Sequence, residues 1–223
     1  MKSDLIKKLW SIDADAPLQS VLDAPECSPL LRRTLTGAIS WQTRNETPVR
    51  KALTSPRIAP QWVAALLALG ATVSVERGEG TEEVPLEALL YQGGKGRATT
   101  LHVPPGGPGR RWGEARVART PADEPIVAVV AVVDMEADNL TVRQARIALT
   151  GVWPKSVRLA ESASYLVGRS LDETSMQAVA EGVEKEIAPK GDFLGSEEYR
   201  RAIAGILTHR TLEQCLRQEE SGG

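Results

Sequence analysis

The side chains that most often carry chemistry are few in this chain and form no familiar catalytic pattern. The two histidines, His102 and His209, fall in a predicted strand and on the predicted last helix, and the order of residues is not that of Ser/His/Asp catalysis. Asp134, Glu136 and Asp138 surround a predicted hairpin turn, and the preference of Asp for turns explains them better than a metal ion does. We therefore predict no catalytic residue and no metal ligand.

The two cysteines also argue against a metal site. Cys27 and Cys215 have neither CxxC spacing nor a neighbouring histidine. Cys215 falls on an apolar helix face and is predicted to be a core residue. Two thiols in a chain of this length favour a reducing compartment, and the predicted location is the cytoplasm.

Two basic or glycine-rich features could bind an anion. Arg110, Arg111, Arg116 and Arg119 lie close together, either as a solvated loop or as a site for a phosphate or for an acidic patch of a partner. The segment PPGGPGRRWG at 104–113 could cradle a phosphate, but it lacks the spacing of a P-loop or of a dinucleotide fingerprint. The alternative is a flexible connection between two subdomains.

The composition is that of an ordinary globular protein and excludes two classes of function. A hydrophobic content of 42% in 223 residues allows one large domain or two small ones. The net charge of -2 argues against binding to nucleic acid, which usually requires a basic face. No apolar run approaches the ~18 residues of a membrane span, so no membrane association is predicted.

The first half of the chain is predicted to contain two parts. Residues 1–27 form an N-terminal helical arm, whose apolar face is a candidate contact for a partner protein and comprises Leu5, Ile6, Leu9 and Trp10. Residues 28–115 form a subdomain in which the proline-containing stretch 42–60 is predicted to be mostly loop. A buried helix follows from Gln61 to Leu69 and ends at a glycine.

The second half, residues 116–223, is predicted to be an antiparallel sheet packed by three helices, so the fold class is α+β. The run IVAVVAVVDM predicts a strand that is covered on both faces. It forms a hairpin with LTVRQARIALTGV across the polar turn EADN. The three helices span 157–167, 172–187 and a last helix capped by Ser196.

Several of these segments resemble one protein family. IALTGVWPKSVRLAESASYLVGRSLDE and GDFLGSEEYRRAIAGILTHRTLEQCL are similar to the C-terminal domain of the flavoprotein subunits of the molybdenum hydroxylases. WVAALLALGATVSVER and RTPADEPIVAVVAVVDM resemble segments of the same subunits more weakly. The chain thus resembles the FAD-binding (medium) subunit of the carbon monoxide dehydrogenase and xanthine dehydrogenase family, in an N-terminally shortened, degenerate form.

The resemblance implies a domain division and a set of cofactor-binding positions. Residues 28–115 correspond to a degenerate FAD-binding subdomain of the PCMH type, and residues 116–223 to the CO dehydrogenase flavoprotein C-terminal domain. The positions that match the family's flavin-binding motifs are Arg44, Asn45, Thr47, Arg116 and Asp123. The implied cofactor is FAD, and the implied partners are iron–sulfur and molybdopterin subunits.

The sequence departs from the family where the phosphates of FAD would lie. The family's glycine-rich first loop has no counterpart, because residues 1–27 contain no glycine. The two glycines of the second loop are replaced within Pro48–Val49–Arg50–Lys51. Main chain can approach a diphosphate closely only where Cβ is absent, and proline has no N–H to donate. A family-like FAD pocket therefore looks dismantled.

Three functions follow from these observations. The first is a non-catalytic, structural paralogue that docks on iron–sulfur and molybdopterin subunits. The second is a functional flavin subunit that passes electrons through FAD, which is held either without the missing loop or with a partner supplying it. The third is an unrelated binding module that shares only the C-terminal fold.

Overall fold

The computed structural model describes residues 9–37, 39–78, 80–91, 96–120, 123–154 and 157–220. These residues form two four-stranded antiparallel sheets, with strand orders β1-β4-β2-β3 and β5-β6-β7-β8. The strands are β1 (Trp10–Asp13), β2 (Thr72–Arg77), β3 (Gly80–Pro85), β4 (Arg97–Val103), β5 (Arg110–Val117), β6 (Val127–Met135), β7 (Val142–Thr150) and β8 (Arg158–Leu159). The predicted α+β class is confirmed.

Helices precede, separate and follow the strands. The helices are α1 (Leu18–Asp23), α2 (Pro29–Thr36), α3 (Trp41–Glu46), α4 (Val49–Thr54), α5 (Pro60–Leu69), α6 (Leu86–Tyr91), α7 (Glu173–Glu186) and α8 (Glu197–Glu220), and a 3₁₀ helix spans Glu161–Leu166. Helix α7 packs against the 3₁₀ helix and against α8, which contact the second sheet, and apolar side chains of all three share one core with it. This arrangement confirms the predicted sheet covered by three helices, although β8 and the 3₁₀ helix replace the α-helix predicted at 157–167.

Helix α5 joins the two sheets into one structure. All ten of its residues are buried, and all but Gln61 are apolar. It contacts β6 and β7 of the second sheet and shares one hydrophobic core with the apolar face of the first. Gly70 ends the helix at φ +75°, and a Cβ there would lie 3.1 Å from the guanidinium carbon of Arg146.

Strand β6 is the centre of the second sheet. All nine of its residues are buried, as its near-continuous apolar sequence predicts. Alternate side chains enter the two hydrophobic clusters on its two faces, Val130 and Val132 towards α5 and Val129 and Val133 towards α8. Helices therefore pack on both faces of the β6–β7 hairpin, α5 on one and α8 on the other.

The outer edge of β5 is covered by side chains of α8. The side chain of Gln214 accepts from the main-chain N–H of Glu114 and donates to its carbonyl, at 3.0 and 3.1 Å. Gln218 makes the same pair of bonds with Trp112, at 3.0 and 2.7 Å. Gly113 makes this approach possible, because a Cβ there would lie 2.2 Å from the carbonyl oxygen of Thr211. The strand edge is thereby protected from pairing with another strand.

The structure corrects two predictions in the first half of the chain. Residues 10–13 form strand β1, paired with β4, and Trp10 packs against the core, so no helical arm includes them. Leu9 is exposed, while Leu5 and Ile6 lie outside the described residues. The stretch 42–60 was predicted to be loop but contains most of α3 and all of α4. The proposed domain division remains a prediction, and its boundary at residue 116 falls within β5.

The basic segment is also more ordered than the sequence indicates. Arg110 and Arg111 are the first residues of β5, and Arg111 is only 6% exposed. Arg110 forms two hydrogen bonds to the buried carboxylate of Asp134, at 2.7 and 3.0 Å, and a third to the carbonyl of Pro105 at 3.1 Å. These two arginines therefore do not form a solvated loop, and Arg110 holds the glycine-rich loop to β6.

None of the helices built by the described residues combines the length and the apolar character that crossing a bilayer requires.

Candidate functional site

The three candidate residues near α3 stabilise the local backbone. Arg44, within α3, donates from Nε to Gln19 at 2.9 Å and from Nη1 to the carbonyl of Ile39. The side chain of Asn45 donates to the carbonyl of Trp41, one turn earlier, at 2.8 Å. Thr47 is buried after the end of the helix, and its carbonyl accepts from the N–H of Leu18 at 2.9 Å.

The other two candidates lie at the far end of β5 and in the loop after it. Arg116 donates from Nη2 to the carbonyl of Gly37 at 2.7 Å. Arg44 and Arg116 are therefore brought to the same connection between α2 and α3, where they bind the carbonyls of residues 39 and 37. Asp123 is exposed, and its carboxylate accepts from the N–H of Thr120 at 3.1 Å within its own loop.

The main chain at the start of α4 decides whether this segment can bind phosphate. A diphosphate at such a loop is held by main-chain N–H groups that have no other acceptor. Here the N–H groups of residues 49 to 52 donate, in order, to the carbonyls of Ala16, Ala14, Pro48 and Pro48 at 2.9, 2.8, 3.0 and 3.3 Å. Their donor capacity is already used within the chain.

Arg50, one of the two cationic residues at this position, is also paired. Nε of Arg50 lies 2.8 Å from one carboxylate oxygen of Asp15, and Nη2 of Arg97 lies 2.9 Å from the other. A phosphate that approached Arg50 would compete with this carboxylate. The residues present at this loop therefore do not fit the diphosphate of FAD.

A carboxylate that sequence reasoning missed links the first half of the chain to β5. Glu114 is half-buried and accepts two hydrogen bonds from Arg33 of α2, at 3.1 and 2.9 Å. Its other oxygen accepts from the side chain of Gln61, at 2.5 Å. The only signal in the sequence was the alternation of β5, which says which side of the strand a residue faces but not what it meets there.

His102 has two hydroxyl partners that its sequence neighbourhood did not reveal. Its Nδ1 lies 3.0 Å from Oγ of Ser11, and its Nε2 lies 2.8 Å from Oγ of Ser74, across three strands of the first sheet. Two hydroxyls without a carboxylate do not reproduce the roles of a Ser/His/Asp triad. In the part of the chain that the structure describes, no cluster of side chains could hold a metal ion.

Two of the cavities that the described residues form are large enough to hold a small molecule. The tryptophan cavity, of about 570 Å³, lies beside the glycine-rich loop and is lined by Trp10, Trp112 and apolar residues of α2. The seam cavity, of about 520 Å³, lies where the start of α5 meets the end of β7 and the turn before α8. Arg57, Trp153 and Lys190 are among its lining residues.

Comparison with known proteins finds a family match for the second half of the chain. Residues 115–215 match the CO dehydrogenase flavoprotein C-terminal domain. The chain is 24% identical over 193 residues to the glyceraldehyde dehydrogenase medium chain of Sulfolobus acidocaldarius. This alignment covers 83% of this chain and 67% of the relative. It is 32% identical over 112 residues to the carbon monoxide dehydrogenase medium chain of Hydrogenophaga pseudoflava. That alignment covers 50% of this chain and 38% of the relative.

The solved structures show that the likeness of fold extends beyond this domain. Carbon monoxide dehydrogenase from Hydrogenophaga pseudoflava, in a form that lacks the Mo-pyranopterin moiety of its cofactor, superposes with a TM-score of 0.82 at 23% identity. The match covers 94% of this chain and 76% of that chain. Both sheets therefore belong to the shared fold.

Proposed function

We propose that the protein, whose residues 115–215 match the CO dehydrogenase flavoprotein C-terminal domain, is a non-catalytic, structural paralogue of the medium subunit of a molybdenum hydroxylase. In this role it docks on an iron–sulfur subunit and a molybdopterin subunit in the cytoplasm. The similarity to medium chains of such enzymes supports the docking role. The two free, buried thiols support a reducing compartment.

The hydrogen bonding at the start of α4 is the observation that carries the proposal. The four N–H groups from Val49 to Ala52 donate to carbonyls of the same chain, and Asp15 pairs with Arg50. A bound diphosphate would require these contacts to break before it gained any of its own. Arg44 and Arg116, which the family resemblance assigns to the cofactor, instead bind the α2–α3 connection.

The alternative is a functional FAD-binding electron-transfer subunit, and flavin content separates the two. A tagged copy of the full chain would be purified from cells that express it naturally, and flavin, iron and molybdenum would be measured per chain. We expect iron and molybdenum in fixed ratio with the chain and flavin well below one equivalent. One FAD per chain would overturn the proposal in favour of the electron carrier, and a chain without iron or molybdenum would overturn the docking role.

A matched variant tests the physical reason. The double substitution Arg50→Gly with Lys51→Gly restores glycine but leaves the acceptors Ala14, Ala16 and Pro48 in place. We expect titration of the purified variant with FAD to show no binding, as for the unchanged chain. If the variant binds FAD and the unchanged chain does not, bulk rather than donor use is the obstacle.

A further inference from the structure

The seam cavity has the size and the walls of a small-molecule site. Its volume of about 520 Å³ lies in the range of ligand pockets. One wall comes from the residues before and at the start of α5, and the others come from the second half of the chain. None of the five residues that the family resemblance assigns to FAD lines it.

One buried arginine fixes the shape of the cavity. Arg200 of α8 is 5% exposed and donates from Nη1 to the carbonyls of Ile126 and Gly151. Its Nη2 donates to both carboxylate oxygens of Asp192, at 2.8 and 2.7 Å. The turn from Asp192 is closed in addition by two main-chain bonds with Gly195, at 3.0 and 3.2 Å. The main chain on this side of the cavity is therefore held in place by bonds within the chain.

The charge around the cavity favours an anion. Arg57 and Lys190 line it, are exposed, and form no ion pair with a described residue. Asp192 is balanced by Arg200, so Glu124 is the remaining acidic group among the described lining residues. The Nε of Arg200 is buried and has no hydrogen-bond partner among the described residues. Such a donor is costly to leave unmatched.

Two aromatic rings give the cavity an apolar surface. Phe193 is 88% exposed at the tip of the turn that Arg200 holds, and it lines the cavity. Trp153 lines it as well, and its ring lies 6.0 Å from the guanidinium carbon of Arg158. A large apolar side chain that is exposed on a hydrogen-bonded turn is typical of a binding surface. Flat apolar ligands pack well on such rings.

We propose that the seam cavity binds a small aromatic carboxylate. The carboxylate lies towards Arg57 and Lys190, and the ring system packs on Phe193 and Trp153. This site does not depend on the proposed structural role or on whether FAD is bound.

The test uses 2-naphthoate and its uncharged isostere 2-naphthamide as probes, with isothermal titration calorimetry on the full chain. We expect 2-naphthoate to bind about three- to tenfold more tightly than the amide, as two solvent-exposed ion pairs allow. The substitution Arg57→Gln with Lys190→Gln removes this difference. Phe193→Ala weakens both probes to the same extent.

A matched control removes two positive charges elsewhere. Arg143→Gln with Lys185→Gln changes exposed side chains outside the cavity and should leave the preference for the carboxylate unchanged. Melting curves confirm that every variant folds. The proposal is overturned if 2-naphthoate does not bind, if the two probes bind equally to the unchanged chain, or if the control loses the preference as fully as the cavity variant.

Discussion

Replacing Gly113 by alanine should destabilise the protein strongly, although the change adds a single methyl group. The new Cβ would lie 2.2 Å from the carbonyl oxygen of Thr211 and 3.1 Å from Cβ of Gln214. Ordinary contact requires about 3.3 Å, so α8 would have to withdraw by about 1 Å. That movement would stretch the four side-chain bonds that Gln214 and Gln218 make with β5, now 2.7 to 3.1 Å long.

The expected loss follows from these contacts. Overpacking costs about 1–3 kcal/mol, and four weakened hydrogen bonds cost about 0.5 kcal/mol each. The intrinsic preference for alanine over glycine in a strand offsets about 0.5–1 kcal/mol. The net loss is about 2–4 kcal/mol, which lowers the melting temperature by roughly 5–15 °C in a chain of this size.

Calorimetry or denaturant unfolding measures the loss, with Gly107→Ala as the matched control. A Cβ at Gly107 meets no atom within 4 Å, so that variant should melt within about 2 °C of the unchanged chain. If Gly113→Ala is as stable as Gly107→Ala, the helix does not need its close approach to β5, and the account of the strand edge is wrong.

Three further predictions concern single side chains. Arg110→Met should lower the free energy of unfolding by about 3–5 kcal/mol, because it leaves the carboxylate of Asp134, 4% exposed, without its ion pair. The double variant with Asp134→Leu should recover most of this loss in urea unfolding. If it recovers none, the pairing is refuted. Hydrogen bonds from Arg200 and from the N–H of Leu194 hold the pKa of Asp192 below its usual value. The carboxylate of Asp192 therefore contributes fully to the free energy of unfolding above about pH 4, and this contribution is lost as the pH falls towards the lowered pKa. In the variant Asp192→Asn, the free energy of unfolding should fall less steeply with pH in this range. An unchanged pH dependence would contradict the assignment. Burial raises the pKa of Cys215 to about 12 and also raises the pKa of Cys27. A thiol reagent at about pH 8 should therefore leave Cys215 unmodified and modify Cys27 slowly. Two rapidly reacting thiols in the folded protein would show that these side chains are not buried.

The elements that were predicted well are those whose signals are local. Helix α5 has proline at its first position, an apolar run from Trp62 to Leu69 and a glycine at its end. Strand β6 has the near-continuous apolar sequence VAVVAVVDM. In both, neighbouring residues alone specify the structure.

The elements that were missed depend on context. Three prolines made 42–60 look like loop, yet Pro48 is the residue before α4, and Pro60 is the first residue of α5, where a missing N–H costs nothing. Strand β1 has four residues, and its partner β4 lies far along the chain. No periodicity in so short a segment indicates a strand.

The candidate site shows the same division. The absence of glycine from residues 48–51, where the family resemblance places a flavin loop, could be read directly from the sequence. The acceptors Ala14 and Ala16, which use the N–H groups of Val49 and Arg50, could not, because main-chain pairing leaves no trace in residue type. The same holds for the partners of Glu114, which come from α2 and α5.

The spacing of Gln214 and Gln218 along α8 matches the spacing of the two residues of β5 that they bind. Four residues of a helix rise about 6.0 Å, and two residues of a strand rise about 6.7 Å, so Gln214 and Gln218 stay nearly in step with Glu114 and Trp112. Because these amides recognise only main chain, they leave the outward side chains of the strand free to differ. Inserting or deleting a single residue between the two glutamines would rotate one of them by about 100° away from the sheet. This contact therefore depends on the four-residue spacing of Gln214 and Gln218 along α8 and not on which side chains β5 carries.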